Sequence, residues 1–319
     1  MNKLYMIFLC MLLIGCKAEF AKNEDNPKLK TQGTKEVLGT SIGLVDETAQ
    51  TRTNFTHRLK SSTEYSPEIK IINHYPEKME YRLFFLLDYK QTKVNYNNAE
   101  INYMDIEVEP KNEKKFTIKL SDIPDGLHDF IVISVRNPNN YLTDQQLIPP
   151  PRTFIHRRVT ILVGENENPP NVKFEEITND SNVKFKKIDD SSNILRGVVY
   201  LTNVPRNTPT GEVITLLNSY QNPLWVNFAI EEPNTSFAII ALLNNEQVVL
   251  QSTFFHTASK GMVNYPLNIS INKNNPCNLT LAVVENPYTK IEDKNGELQN
   301  KLWSVIFANQ ITFEIEGKN

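Results

Sequence analysis

The sequence predicts an all-β protein: two tandem β-sandwich domains behind a signal peptide and a polar tether. Three observations carry that prediction. Apolar residues recur with period two between turn signals, the spacing of a half-buried strand rather than of a helix. No window supplies the long amphipathic stretch that a parallel α/β architecture needs. The second half of the chain also repeats the first. At a shift of 156, Pro67 falls on Pro223, and Leu86-Leu87-Asp88-Tyr89-Lys90-Gln91 falls on Leu242-Leu243-Asn244-Asn245-Glu246-Gln247. At 151, Phe116, Ile118 and Leu120 fall on Leu267, Ile269 and Ile271. At 149, Val135-Arg136-Asn137-Pro138 falls on Val284-Glu285-Asn286-Pro287, and at 152 Val159-Thr160-Ile161 falls on Ile311-Thr312-Phe313. The shifts change where loops are expected, and matches in one order across both halves mark a tandem repeat.

The elements follow in chain order. Lys3 and the apolar run Leu4 to Ile14 form an export signal too short to span a bilayer comfortably as a permanent helix. Leu13-Ile14-Gly15-Cys16 resembles the lipobox of bacterial lipoproteins. The resemblance implies cleavage after residue 15 and a membrane anchor of acyl chains on Cys16, on the extracytoplasmic side of a bacterial envelope. One acyl chain binds only marginally, so the two or three that the family carries would hold the protein firmly. Residues 16–40 are polar and lack a sustained period, as expected of a flexible tether.

The first domain is assigned to residues 41–166, with strands near Ile69–Asn73, Tyr81–Leu87, Met104–Val108, Lys115–Leu120, Phe130–Val135 and Phe154–Val163. Residues 171–195 are polar and serve as a linker or as an extra strand of the second domain. That domain, 196–319, has strands near Trp225–Ile230, Ser236–Leu243, Gln247–Phe254, Leu267–Ile271, Leu279–Val284, Leu302–Phe307 and Gln310–Ile315. Pro124-Asp125-Gly126, Asn137-Pro138, Asn286-Pro287 and Asn295-Gly296 mark turns. Short strands at this density, repeated once, resemble tandem immunoglobulin-like or fibronectin-type-III-like sandwiches, without the Cys…Trp…Cys spacing of antibody domains.

Composition narrows the function classes. The chain has 319 residues, 40% hydrophobic and 22% charged, which is enough for two proper cores. Its formal charge of -3 has both signs interspersed, so no basic face for nucleic acid is expected. Cys10 leaves with the signal and Cys16 is lipidated, so Cys277 stands alone and no intrachain disulfide is expected. It shares strand parity with Leu279, Leu281 and Val283, which predicts a buried structural thiol.

Chemistry-bearing candidates are few. The five histidines lack metal-ligand spacing, and the loop around Asp293 and Asn295-Gly296 puts Ile291 and Leu302 where a calcium loop needs oxygens, so neither a metal nor another cofactor is expected. His128, between Asp125 and Asp129, is expected to be a turn histidine bonded to its neighbours. Tyr89, Tyr96 and Tyr103 lie in an Asn-rich stretch and are candidates for stacking on sugar. Arg152, His156, Arg157 and Arg158 form the one basic cluster of the folded region, able to dock an anionic wall polymer or lipid headgroups, or simply to keep a sheet edge soluble. Trp225 and Trp303 are expected in the cores. No constellation names a reaction. The expectation is therefore a lipid-anchored, non-enzymatic interaction or adhesion module with an envelope partner. The alternative is an envelope glycan-binding protein or enzyme accessory with a loop-built site.

Overall fold

Two strands show how the chain sets its architecture. Met79–Leu87 and Gly126–Arg136 are dense in aromatic and β-branched residues, and they pair antiparallel from Phe130 opposite Leu87 to Arg136 opposite Tyr81. Their apolar residues run on without alternation, the pattern of a strand covered on both faces. The computed structural model describes residues 38–45, 51–52, 55–60, 64–142, 153–178, 183–187, 198–205, 216–217, 223–270, 276–293, 295–299, 305–308 and 311–313. Cys16, Arg152, Trp303 and most of the expected tether lie outside them. The described residues are all-β, and none of their helices is long and apolar enough to cross a membrane.

In the first half the main strands are β1 (Thr40–Val45), β2 (Thr56–Leu59), β3 (Glu68–Asn73), β4 (Met79–Leu87), β5 (Tyr103–Val108), β6 (Glu113–Thr117), β7 (Gly126–Arg136) and β8 (Phe154–Val163). They form a sheet in the order β1-β3-β6 and a larger one in the order β5-β4-β7-β8-β2. In the second half they are β9 (Lys184–Lys187), β10 (Val199–Thr202), β11 (Leu216–Leu217), β12 (Leu224–Ile230), β13 (Thr235–Leu243), β14 (Phe254–Thr257), β15 (Gly261–Leu267), β16 (Cys277–Glu285), β17 (Val305–Phe307) and β18 (Ile311–Phe313). Here the orders are β9-β15-β12-β10 and β14-β13-β16-β18-β11, with β17 also on β16. The order of the first half thus recurs, down to the parallel pairing of β2 with β8 and of β11 with β18.

Each half encloses its own core. Ile69, Ile71, Phe85, Phe130, Val132 and Ile161 meet in the first, and Val226, Phe228, Phe237, Ile239, Leu281 and Val283 in the second. Cys277 is buried in the second core, whose apolar walls push its thiol up to about 11. Turns use residues that tolerate left-handed backbone. Asp88 and Tyr89, at φ 51° and 67°, both adopt it in the hairpin that follows β4, the requirement of a two-residue turn matched to strand twist. Asn137 and Asn286 occupy it at φ 49° and 50°, each just after the strand that precedes an Asn-Pro turn.

Several expectations need correction. The strand expected at Leu267–Ile271 is instead β15, ending at Leu267, with Val263, Tyr265 and Leu267 facing the core. The span 247–254 breaks into the pair Glu246–Gln247, a loop, and β14, because Gln247 completes a tight hairpin on β13 and leaves Val249 94% exposed. Strands β1, β2, β10 and β11 are short or mixed in polarity and carry no clear period in the sequence. Within 171–195, Glu175–Glu176 pairs with β14 and β9 pairs with β15. Trp225 does not enter the core: Leu224, Val226 and Phe228 take the inward parity, and the half-buried indole faces outward under Lys184 Nζ, 4.8 Å from its ring.

Candidate functional site

The outer faces of β4 and β7 are apolar, and so are those of β13 and β16. They meet in a third core, shared by the halves, in which Phe84, Leu86, Ile131, Ile133 and Val135 pack with Ala238, Ile240, Leu242, Ala282 and Val284. These residues correspond under the repeat: Phe84 to Ile240 and Leu86 to Leu242 at a shift of 156, Ile133 to Ala282 and Val135 to Val284 at 149. The seam is therefore built from the same positions twice.

Polar contacts at the seam follow the same rule. The backbone N–H of Gln91 donates to Gln247 Oε1 at 2.6 Å, and the N–H of Gln247 donates to Gln91 Oε1 at 2.7 Å. Gln91 Nε2 donates to the Asn245 carbonyl and Gln247 Nε2 to the Tyr89 carbonyl, each at 2.8 Å. A contact in which residue i meets j while j meets i is the mark of an isologous interface, with a two-fold axis between the partners.

Beside that axis lies a buried charge cluster. Asp129 is 0% exposed and Arg158 1%. Asp129 Oδ2 accepts from Arg158 Nη2 at 2.7 Å, from the Tyr89 hydroxyl at 2.5 Å and from the Tyr288 backbone N–H at 2.7 Å. Arg158 also donates across the seam to the carbonyls of Asn286 at 3.0 Å and Glu285 at 3.3 Å. Burial opposes the Arg158 charge, but the Asp129 carboxylate beside it more than offsets this and raises its pKa. Burial drives the Tyr89 phenol well above its ordinary value, as it does Tyr288, where Asp88 and Asp129 add to the effect. Both phenols stay neutral, and Tyr89 acts as a donor.

His128 closes one end of the first sandwich. Its Nε2 lies 2.9 Å from the Pro124 carbonyl and its Nδ1 2.7 Å from Asp88 Oδ2. Both partners accept, so both ring nitrogens donate and the imidazolium is the form that fits. Burial works against that charge, and the hydrogen bond and charge of Asp88 reverse the balance to a raised pKa. His128 thus bonds Pro124 nearby, as a turn histidine would, but it stands in β7 and its charged partner is remote in sequence. At the rim, Arg82 holds Asp105 through two bonds of 2.7 Å, reaches Asn245 Oδ1 at 2.7 Å and lies 4.9 Å from the Tyr103 ring centre.

Of the five candidate ligand residues that are described, Tyr89 and Arg158 meet on Asp129, and the five do not form one exposed set. Tyr89 and Arg158 are sealed inside the seam, which removes them from any exposed binding set and corrects the expectation of a sugar platform or basic docking patch there. The strand β8 is flanked by β7 and β2, so Arg158 does not guard an edge either. Tyr96 packs edge-on against Phe116, 5.9 Å away, in the first core's periphery, and Tyr103 stands at the rim. Arg157 lies 3.8 Å from the Phe55 ring centre, and burial pulls its guanidinium below its ordinary value. Arg152 and the lipid-site Cys16 fall outside the described residues. Among those residues, no group of three or more His, Cys, Asp or Glu is placed to hold a metal. Nothing in the local sequence marks Asp129, Asn278, Gln91 or Gln247, although the repeat itself pairs Gln91 with Gln247.

No protein-family model matches this chain, and no curated protein does. Among solved structures, the chain is similar over 88% of its length to a transglutaminase of red sea bream, at 9% identity and a TM-score of 0.20, spanning 32% of that chain. It is also similar, again over 88% of its length, to the secreted serine protease VesC of Vibrio cholerae, at 6% identity and a TM-score of 0.24, spanning 52% of that chain. This chain therefore spans about a third and about half of those two proteins, and scores this low assign it to neither fold.

Proposed function

We propose that this chain is a lipid-anchored protein of a bacterial envelope, held by Cys16, whose two immunoglobulin-like sandwiches act as one non-enzymatic interaction module. The observation that carries this reading is the shared third core: apolar faces of both larger sheets pack on each other, with half-buried reciprocal hydrogen bonds beside them. A module joined in this way offers a partner the loops and remaining faces of both halves in one fixed geometry. Large apolar contacts of this kind oppose the relative motion that is the default between domains in a chain. The lipobox resemblance supplies the location, and the polar segment after Cys16 supplies distance from the bilayer.

The test has two arms. Labelled palmitate should enter the wild-type chain and not the Cys16→Ser variant, which should leave the membrane fraction. Envelope fractions passed over the immobilised folded region should yield a saturable protein partner. Absence of lipid label refutes the anchor. Selective retention of glycan instead of protein would shift the reading to the half-buried tyrosines Tyr96 and Tyr103.

A further inference from the structure

His128 stands between two elements of the first half that join it to the second. On one side its Nδ1 lies 2.7 Å from Asp88 Oδ2, in the Asp88-Tyr89 turn. That turn receives two bonds from the opposite half: the Tyr288 hydroxyl donates to the Asp88 carbonyl at 3.4 Å, and Gln247 Nε2 to the Tyr89 carbonyl at 2.8 Å. On the other side His128 Nε2 lies 2.9 Å from the Pro124 carbonyl, in the turn that seats the connection between the halves. There the Leu127 N–H donates to the Asn168 carbonyl at 2.9 Å, and a Cβ on Gly126 would stand 2.9 Å from that same oxygen, so only glycine allows the approach. The Asp125 carboxyl packs against Gly164 at the start of the connection. From this seat residues 164–174 run to the second half. Glu167 forms ion pairs with Arg58 of the first half and Lys290 of the second, and the Phe174 ring lies 5.6 Å from that of Phe254.

Both contacts of the ring need a proton. The Asp88 carboxylate and the Pro124 carbonyl only accept, so a neutral imidazole can donate to one and must turn a lone pair on the other. The charged and titratable groups around it come from several elements. Asp88 lies in the hairpin, Asp129 beside it on β7 and Asp125 in the turn. Arg158 on β8 is engaged by Asp129, the Tyr89 and Tyr288 phenols are neutral, and His57 on β2, across Ile161 of β8, is bonded to the Tyr65 hydroxyl at 2.6 Å. Burial opposes the imidazolium charge, and Asp88, with the Pro124 carbonyl and the charge of Asp129, outweighs it and raises the pKa.

We infer that His128 is a pH-sensitive latch on the joint between the halves: the charged ring holds both the hairpin and the seat of the connection, and loss of its proton frees one of them. Each unit by which closure of the joint raises the ring's pKa strengthens closure about tenfold. That gain is fully present below the free histidine's value of about 6.5 and is lost as pH rises through the folded value. On the envelope location proposed above, the latch couples the geometry of the module to the acidity outside the membrane; the latch itself does not depend on that location.

The experiment follows cleavage of the full chain in detergent by subtilisin, from about pH 6 to about pH 9, a range that spans the titration of a histidine with a raised pKa. Cut sites are read by mass spectrometry, and each rate is divided by that of a free peptide of residues 164–174, which removes the protease's own pH dependence. Relative cleavage within the connection should rise at least about threefold with pH, with its midpoint at the His128 pKa measured by NMR. In Asp88→Asn the midpoint should move to lower pH, and in His128→Gln the relative rate should be independent of pH. The wild-type and Asp88→Asn profiles decide the matter where His128→Gln does not fold. A flat wild-type profile, a midpoint unmoved in Asp88→Asn, or first cuts spread over both halves instead of the connection overturns the proposal.

Discussion

Asp129 and Asn278 hold equivalent positions in the two central strands, and each reaches across the seam to the Asn-Pro turn of the opposite half. Asp129 Oδ2 accepts from the Tyr288 N–H, whereas Asn278 Nδ2 donates to the carbonyls of Pro138 at 3.1 Å and Asn140 at 3.2 Å. One position of the repeat has kept its task while the chemistry has changed from anion to amide. The anion needs a cation in the same dry place, and Arg158 provides it.

That pair gives the largest expected single-site effect. Arg158→Met leaves Asp129 buried without its countercharge and should cost about 3–5 kcal/mol, because removing one member of a buried pair strands the other. For a folded region of this size, that lowers Tm by roughly 10 °C. A thermal melt that stays within a degree of wild type would show that water reaches the site.

Gln91 and Gln247 should contribute separately although they sit together. Each alanine substitution removes that side chain's own bonds to the backbone of the opposite half and should cost about 1–3 kcal/mol. The double variant should cost close to the sum, since neither side chain bonds the other and each one's backbone partners remain after the other is truncated. A double-mutant cycle by urea denaturation measures this, and a double variant no worse than either single one would show that one set of bonds does not form without the other.

His128 predicts a pH dependence with a definite sign. Its folded pKa is raised above the unfolded value of about 6.5, so its contribution is fully present below that pH and is lost as pH rises through the folded pKa. The stability difference between wild type and His128→Gln should be largest near pH 5.5 to 6 and shrink on the alkaline side. An NMR titration of the His128 ring that gives a value at or below 6.5 would refute the ion pair with Asp88.

Separating the halves should expose the seam. A fragment of residues 196–319 should give an all-β circular dichroism spectrum, yet associate through Ala238, Ile240, Leu242, Ala282 and Val284. A longer fragment beginning at residue 171 should melt higher, because it restores Glu175–Glu176 and β9 to their sheets. An unfolded spectrum for both would make the first half a requirement for folding.

Cys277 should resist thiol reagents. It is 4% exposed and its thiol is pushed up to about 11, so at pH 8 little thiolate forms and little of it is reachable. Reaction with a chromogenic disulfide should be slow in buffer and complete in denaturant; rapid reaction in buffer would place the side chain at the surface.

Much of this architecture is written along the chain. Period two separates the inner faces of β3, β8 and β12 from their outer ones, since a strand turns successive side chains to opposite sides. The shift of 156 already places Gln91 on Gln247. What period two does not say is what lies over a strand that is apolar on both faces. The unbroken runs Leu83–Leu87 and Phe130–Ile133 announce a second cover, and only the folded chain shows that the cover is the equivalent run of the other half. Trp225 faces outward for a related reason: its parity depends on where β12 enters the sheet, and Leu224 and Val226 take the inside. Local alternation fixed the all-β class and the two inner cores, because it depends on neighbouring residues alone. The burial of Tyr89 and Arg158, the partner of Asp129 and the meeting of the two glutamines were decided by the tertiary structure, because each depends on bringing together residues far apart in the chain.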